Sequence, residues 1–335
     1  MEGSHFKPIA ILGAGSWGTA LALNLSRRGQ VVRLWSIETS EVTAMLADRA
    51  HHQFLPGFAF PDTIYPMAEL ADAVKDVDDI LIAVPSVGFR HTLEKLKPLL
   101  QPHVRLICAS KGLDARTGQL FNEVVAEVLG TSCRFAVLSG PTFAKEVAAG
   151  LPTCVVLASQ HTDILPELIK RFNSPNFRVF PSNDVIGVEI GCVAKNVIAI
   201  ATGICDGMDL GTNARSALIT LGLGEIIHLG TQMGGKLETF IGLSGMGDLI
   251  LTCTDNQSRN RRLGLALGKQ KDIQSAEREI GQVVEGKRNA ELIDLLAKKH
   301  HVSMPICSAV WQILQGKQPA RETLEEVLAT VTLSS

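Results

Sequence analysis

The sequence lacks most single traits that betray a function. It has no excess of one charge: 32 Lys and Arg stand against 34 Asp and Glu, a formal net charge of −2. That balance excludes a mainly electrostatic nucleic-acid binder. It has no CxxC; its seven cysteines are scattered, which excludes a zinc knuckle and a redox pair. They read instead as buried, reduced thiols of a cytosolic protein. Nine histidines form no HExxH, and no metal site is expected. The adjacent pairs His51-His52 and His300-His301 read as surface residues. No cleavable signal is visible, because Ile9–Leu12 runs straight into glycine. The longest apolar stretch, Val185 to Ile204, carries Glu189, Lys195 and Asn196, so no membrane span is expected. No repeat or low-complexity tract stands out. A soluble, cytoplasmic protein is expected.

Aromatic residues are also few, with one tyrosine and three tryptophans against 30 glycines. Glycine serves where a backbone takes positive φ or must approach something closely. Two glycine pairs imitate a P-loop: Gly230 to Leu237 and Gly281 to Arg288 both fit GxxxxGK. Both place Leu or Arg where a magnesium-holding hydroxyl must stand, which excludes an NTPase.

The 335 residues suggest two domains. In the first half, short apolar runs recur at Ile9–Leu12, Val31–Trp35, Ile80–Val84, Arg105–Ala109, Phe135–Ser139, Cys154–Ala158 and Phe177–Phe180. Helix-period segments lie between several of them, such as 19–28, 40–49 and 118–129. Continuous apolar runs alternating with helices predict an α/β, Rossmann-like doubly wound sheet. Past Asp184 only helical periodicity is left, in 185–204, 214–230, 285–299 and 321–332. The expected division is a dinucleotide-binding domain over 1–183 and an all-helical substrate and catalytic domain over 184–335.

Gly13-Ala-Gly15-Ser16-Trp17-Gly18 is GxGxxG. It follows a strand-like run, opens a helix and sits in a βαβ unit of about 30 residues, as dinucleotide binding requires. Gly13 allows the turn, Gly15 admits a pyrophosphate, and Gly18 lets helix and strand pack. The helix N-terminus adds N–H donors and a positive dipole. After the second strand the chain reads Trp35-Ser36-Ile37-Glu38. Glu38 stands where an acid could hold a ribose, yet it could equally decorate the next helix. These residues leave NAD and NADP open.

Several polar residues sit in apolar or glycine-rich surroundings. Lys195 lies in Gly191-Cys-Val-Ala-Lys195-Asn196-Val-Ile, where desolvation lowers an amine pKa and suits proton transfer to an alkoxide. It could instead snorkel outward or pair with Glu189. Lys111 follows a predicted strand, where ligands of open sheets bind. Gly140 and Thr142 follow another, in a segment able to present N–H donors to an anion. Asp248, behind Gly245 and Gly247, needs a partner, and a lysine would serve; a helix cap is the duller alternative. Ser258-Arg259-Asn260-Arg261-Arg262 can grip a phosphate, with Arg261 and Arg262 forming a solvated face. Gly222, Gly224 and Gly230 look like packing sites.

With these residues in view, the chain resembles the bacterial NAD(P)-dependent glycerol-3-phosphate dehydrogenases from end to end. The strings that carry the resemblance are GAGSWGTALA (13–22), VPS (84–86), SKGL (110–113), SGPTFAKE (139–146), AKNVIAI (194–200), GDLILTCTDNQSRNRR (247–262) and IGQVVEG (280–286). The resemblance implies reversible reduction of dihydroxyacetone phosphate to sn-glycerol 3-phosphate, for glycerophospholipid synthesis, by a homodimer. It implies Lys195 as proton donor and acceptor, with Lys111 and Asp248 beside it. Gly140, Thr142, Ser258, Arg259 and Asn260 would line the substrate along with these three. Ser16, Trp17, Lys111, Ala144, Arg259, Val283 and Glu285 would line the cofactor. The family generally accepts NADPH, although this chain lacks the basic residue that some relatives carry near Ser36-Ile37. Two other readings stay open: a hydroxyacid or 6-phosphogluconate type of dehydrogenase, and a non-catalytic dinucleotide sensor.

Overall fold

The computed structural model describes residues 6–330; residues 1–5 and 331–335, the two ends of the expected domains, lie outside the described residues. The described chain forms two compact units. The first takes the chain through Ser110 and then Phe121–Val185, and the second takes Lys111–Leu120 and the chain from Ile186 onward.

The first unit is built on one eight-stranded sheet. Its strands are β1 (Ile9–Leu12), β2 (Val32–Trp35), β3 (Ile64–Met67), β4 (Asp79–Ile82), β5 (Arg105–Cys108), β6 (Arg134–Ser139), β7 (Thr153–Ala158) and β8 (Phe177–Ser182). Their order is β3-β2-β1-β4-β5-β6-β7-β8, and β1 through β6 are parallel. The order reverses between β1 and β4, the switch point at which open α/β sheets bind ligands. All four residues of β1 are fully buried, as befits a strand covered on both faces.

Two features depart from the sequence reading. β7 pairs antiparallel with β6, so the sheet is mostly rather than wholly parallel. β3 gives little strand signal because Pro66 interrupts it; an edge strand tolerates proline, and β3 is at the edge.

A buried charge cluster closes the amino end of β4. Asp79 is fully buried; Arg105 grips Oδ1 through Nε at 2.6 Å and Oδ2 through Nη2 at 2.9 Å, and Arg171 pairs with the same Oδ2. Arg105 also pairs with Glu167, and Arg171 donates to Gln30 at 3.1 Å. These bonds tie β4, β5 and the helix Leu165–Phe172 together.

Every element of the second unit among the described residues is helical. Val185–Gly207 is long and apolar enough to cross a membrane by length and composition, but 94% of its apolar window is buried inside the protein. It packs against the helix Arg259–Gly268 almost backbone to backbone. A Cβ on Gly203 would lie 2.2 Å from the Arg261 carbonyl oxygen, and one on Gly264 would lie 2.1 Å from that of Ile200. Gly207 and Gly268 repeat the contact one turn on. Gly222 and Gly230 do act as packing sites, against Ile198 and Phe240, whereas Gly224 faces open space.

Asp79→Ala leaves two buried guanidinium groups without their shared carboxylate. It is expected to lower the unfolding free energy by about 3–5 kcal/mol, measured by urea denaturation; a change near zero would show that the cluster contributes no stability.

Candidate functional site

The first unit carries the dinucleotide loop. Gly13 follows β1 with φ +109°, a backbone that glycine alone adopts easily. A Cβ there would strike the Ala83 carbonyl and the Val84 nitrogen at 2.8 Å, so the turn is packed onto the end of β4. Gly18 likewise has no room, since a Cβ would lie 2.0 Å from the Gly13 carbonyl oxygen. Gly15 differs, because a Cβ there would meet nothing within 4 Å. It starts the helix Ser16–Ser26, whose first turn holds no acidic residue. The Trp17 indole N–H is buried without a hydrogen-bond partner. An open glycine, an unneutralised helix N-terminus and an unpaired donor fit a pyrophosphate-bearing cofactor.

Gly140 and Thr142 follow β6 in the same unit. Gly140 has φ +151°, its missing Cβ leaves room for Val155 and Cys154, and the Thr142 hydroxyl donates to the Gly140 carbonyl at 3.1 Å. Ala144 opens the helix Ala144–Ala149, which Arg27, just past the loop helix, grips at the Val147 carbonyl at 3.0 Å. The Ser16 hydroxyl donates to the Phe54 carbonyl at 2.7 Å. His51, expected on the surface, is buried: its ring lies edge-on to Phe54 and bonds to the backbone of Ala14. Burial pushes its pKa below the ordinary histidine value, against the opposing pull of Glu41.

The second unit gathers the proton-transfer candidates. Lys195 is buried in the middle of Val185–Gly207. Its ammonium pairs with Asp248 Oδ1 and donates to the Thr252 hydroxyl at 3.0 Å. Lys111 donates to Asp248 Oδ2 at 2.9 Å, so one fully buried carboxylate bridges two ammonium groups. Glu189, the alternative partner for Lys195, is therefore not the one it uses. Asp248 opens the helix Asp248–Thr254 directly after a π turn over Leu243–Gly247, a geometry common at functional sites. Its carboxylate faces lysines rather than capping the helix. Burial lowers the Lys195 pKa to about 8; Asp248 opposes that shift and the charge on Lys111 adds to it.

The phosphate-grip candidates lie on the adjoining helix. The Asn260 amide donates to Asn196 Oδ1 at 2.9 Å and accepts from the Gly286 N–H at 2.9 Å. It thus links the residue beside Lys195 to the one beside Glu285. Ser258 is buried and caps this helix, accepting from the Arg261 N–H at 3.2 Å. Arg259 donates to Gln282 at 3.3 Å; burial pulls its pKa down while Glu285 opposes. Val283 is 56% exposed. Arg261, expected on a solvated face, is buried and donates to Asp206 at 2.5 Å and Asn256 at 3.1 Å, because the glycine contact draws this face of the helix inward. Arg262 does lie on the exposed face.

Sequence reasoning missed Thr252 and Asn196. Thr252 is one helical turn past Asp248, to whose carbonyl its hydroxyl donates at 2.6 Å, and that spacing was available as a signal. Asn196 adjoins Lys195, but nothing in the string shows it reaching Asn260.

Fold and site together define a nicotinamide-dinucleotide dehydrogenase of Rossmann-plus-helical type. The family models for the NAD-dependent glycerol-3-phosphate dehydrogenase N-terminus and C-terminus match residues 8–165 and 184–325. A Vibrio cholerae glycerol-3-phosphate dehydrogenase [NAD(P)+] is 47% identical over 329 residues, covering 97% of this chain and 96% of its own. A Coxiella burnetii enzyme of the same name is 49% identical over 321 residues, covering 96% of each. A crystal structure of the Coxiella burnetii enzyme superposes with a TM-score of 0.94 at 48% identity, covering 96% of this chain and 98% of its own. The chain belongs to the NAD-dependent glycerol-3-phosphate dehydrogenase family. A D-mandelate dehydrogenase shares the fold alone, with a TM-score of 0.63 at 14% identity.

Because Asp248 holds the Lys195 pKa up, Asp248→Asn is expected to move the Lys195 titration midpoint below 8. Competitive amine labelling of Lys195 across pH reads this directly, and a midpoint at or above that of the wild type would contradict the assigned pairing.

Proposed function

We infer that the chain catalyses the reversible reduction of dihydroxyacetone phosphate to sn-glycerol 3-phosphate with NADH or NADPH. The observation that carries the reading is the buried Lys195–Asp248–Lys111 cluster beside the Ser258–Asn260 helix, in a chain of this family. Residues 1–183 would serve chiefly the cofactor and residues 184–335 chiefly the substrate, with Lys111–Leu120 belonging to the second unit. On the family resemblance we place the activity in the cytoplasm, in a homodimer that supplies glycerophospholipid synthesis.

The roles follow from charge and burial. The two lysines and Asp248 sum to one positive charge, and Arg259, opposed by Glu285, leaves the region net positive, which favours a phosphorylated anion. Arg259, Ser258 and Asn260 take the phosphate; Gly140 and Thr142 complete the substrate's surroundings. Lys195, with a pKa near 8, carries its proton at neutral pH and gives it up readily to a forming alkoxide at C2. Asp248 and Thr252 aim the amine, and Lys111 keeps its proton labile. Gly13, Gly15, Ser16, Trp17, Gly18, Ala144, Val283 and Glu285 would hold the cofactor, with contributions from Lys111 and Arg259. That cofactor supplies the hydride when bound.

Absorbance at 340 nm with dihydroxyacetone phosphate and NADH or NADPH tests the reading. No turnover would return the chain to the sensor class. Lys195→Ala is expected to lower kcat by about 10²–10⁴-fold with cofactor binding retained. Arg259→Ala is expected mainly to raise KM for the phosphorylated substrate. Reduction needs Lys195 protonated, so its kcat/KM should fall above pH 8 by about tenfold per unit. Oxidation of glycerol 3-phosphate needs the free amine and should rise through the same pH. A flat profile in both directions would remove Lys195 from proton transfer.

A further inference from the structure

An acid tied to the end of β2 was passed over in the sequence reading. Trp35 ends that strand, and Ser36 follows it, buried. The Ser36 hydroxyl donates to Glu41 Oε2 at 2.7 Å and accepts from the Glu38 N–H at 3.2 Å. Glu38 itself is exposed, directly ahead of the helix Thr39–Asp48. Glu41 lies in the first turn of that helix, where the dipole stabilises its negative charge. It acts on His51, the residue bonded to Ala14 inside the phosphate loop. A carboxylate is therefore fixed between the end of β2 and the loop, the region where Rossmann folds place the adenosine ribose.

Arg33 donates to the Asp72 and Ala73 carbonyls at 3.1 and 3.4 Å. Arg49 donates to the Ile64 and Pro61 carbonyls at 3.0 and 2.7 Å. Among the described residues, no Lys or Arg pairs with Ser36, Glu38 or Glu41. A ribose 2′-hydroxyl is a donor that a carboxylate can accept, whereas a 2′-phosphate brings about two further negative charges against it.

We propose that Glu41, held by Ser36, is a specificity-determining residue that makes this chain favour the dinucleotide with a free 2′-hydroxyl, NAD(H), over its 2′-phosphorylated form. The proposal rests on the dehydrogenase reading above and chooses between the two cofactors that reading allows. It runs against the NADPH use that the family resemblance favours.

Calorimetric titration of NADH and NADPH into the full chain at pH 7.5 tests it without turnover. The wild type is expected to bind NADH at least about tenfold more tightly than NADPH. Glu41→Gln is expected to shrink that ratio to within about threefold, chiefly by tightening NADPH. The wild type supplies a second measurement that needs no variant. Raising salt from about 20 to 300 mM screens Glu41 against the 2′-phosphate and should narrow the NADH:NADPH ratio, while pyrophosphate effects cancel between the two ligands. NADPH binding as tightly as NADH overturns the proposal and leaves the dehydrogenase reading intact. So does a ratio that ignores both the substitution and salt. If neither dinucleotide binds, both readings fall together.

Discussion

The site depends on one carboxylate placed between two ammonium groups out of water. Lys111, Lys195 and Asp248 come from three distant stretches of sequence. Two amines alone in that interior would repel each other strongly, because a low dielectric screens poorly. Asp248 reconciles them by giving one oxygen to each. The remaining charge is a single positive one, shared over a small region. That suits a doubly charged phosphate ester better than a neutral sugar or a simple hydroxyacid.

Such a cluster needs rigid neighbours, and glycine supplies them. The helix carrying Lys195 and the helix opened by Ser258 touch through Gly203, Gly207, Gly264 and Gly268. Side chains at those positions would force the helices apart by more than an ångström. The Asn196–Asn260 bond crosses the same seam at 2.9 Å and could not survive that separation. Gly286 extends the arrangement, since its N–H binds Asn260 and a Cβ there would strike Asn260 at 2.7 Å. The abundance of glycine thus serves two purposes. In the first unit it opens a backbone to a ligand, and in the second it closes helices on each other.

Much of this was legible in the sequence. The strands with apolar runs were read close to their observed limits, because burial on both faces keeps their sequence apolar, Asp79 at the start of β4 being the residue the reading left out. β3 was lost to its proline, and the antiparallel turn of β7 leaves no mark on composition. Of the site, each lysine and the aspartate stood out as a polar residue in apolar surroundings. Their pairing did not, because it is made by tertiary folding. Arg261 shows the limit most clearly. Its neighbours Arg259 and Arg262 make it look solvated, yet the glycine seam turns it inward onto Asp206. His51 was misread because only tertiary folding brings the Ala14 backbone to it.

The energetics of Lys195 argue that its position serves chemistry. A lysine whose folded pKa is near 8 binds its proton less tightly than it does in the unfolded chain. Below pH 8 both states are protonated, and the folded state then bears the full net cost of the shift, burial and Lys111 repulsion less the Asp248 attraction, on the order of 3 kcal/mol. The cost fades only as pH rises from 8 toward the ordinary lysine value. At neutral pH it consumes a sizeable part of the 5–15 kcal/mol or so by which a typical domain is stable. A methionine or leucine there would fill the same apolar helix face without that loss. Asp248 and Thr252 reduce the cost but do not remove it, since the pKa stays below that of a free amine. What the amine gains is a proton that can move in either direction near neutral pH, which a reversible carbonyl reduction requires and a solvent-exposed lysine does not offer.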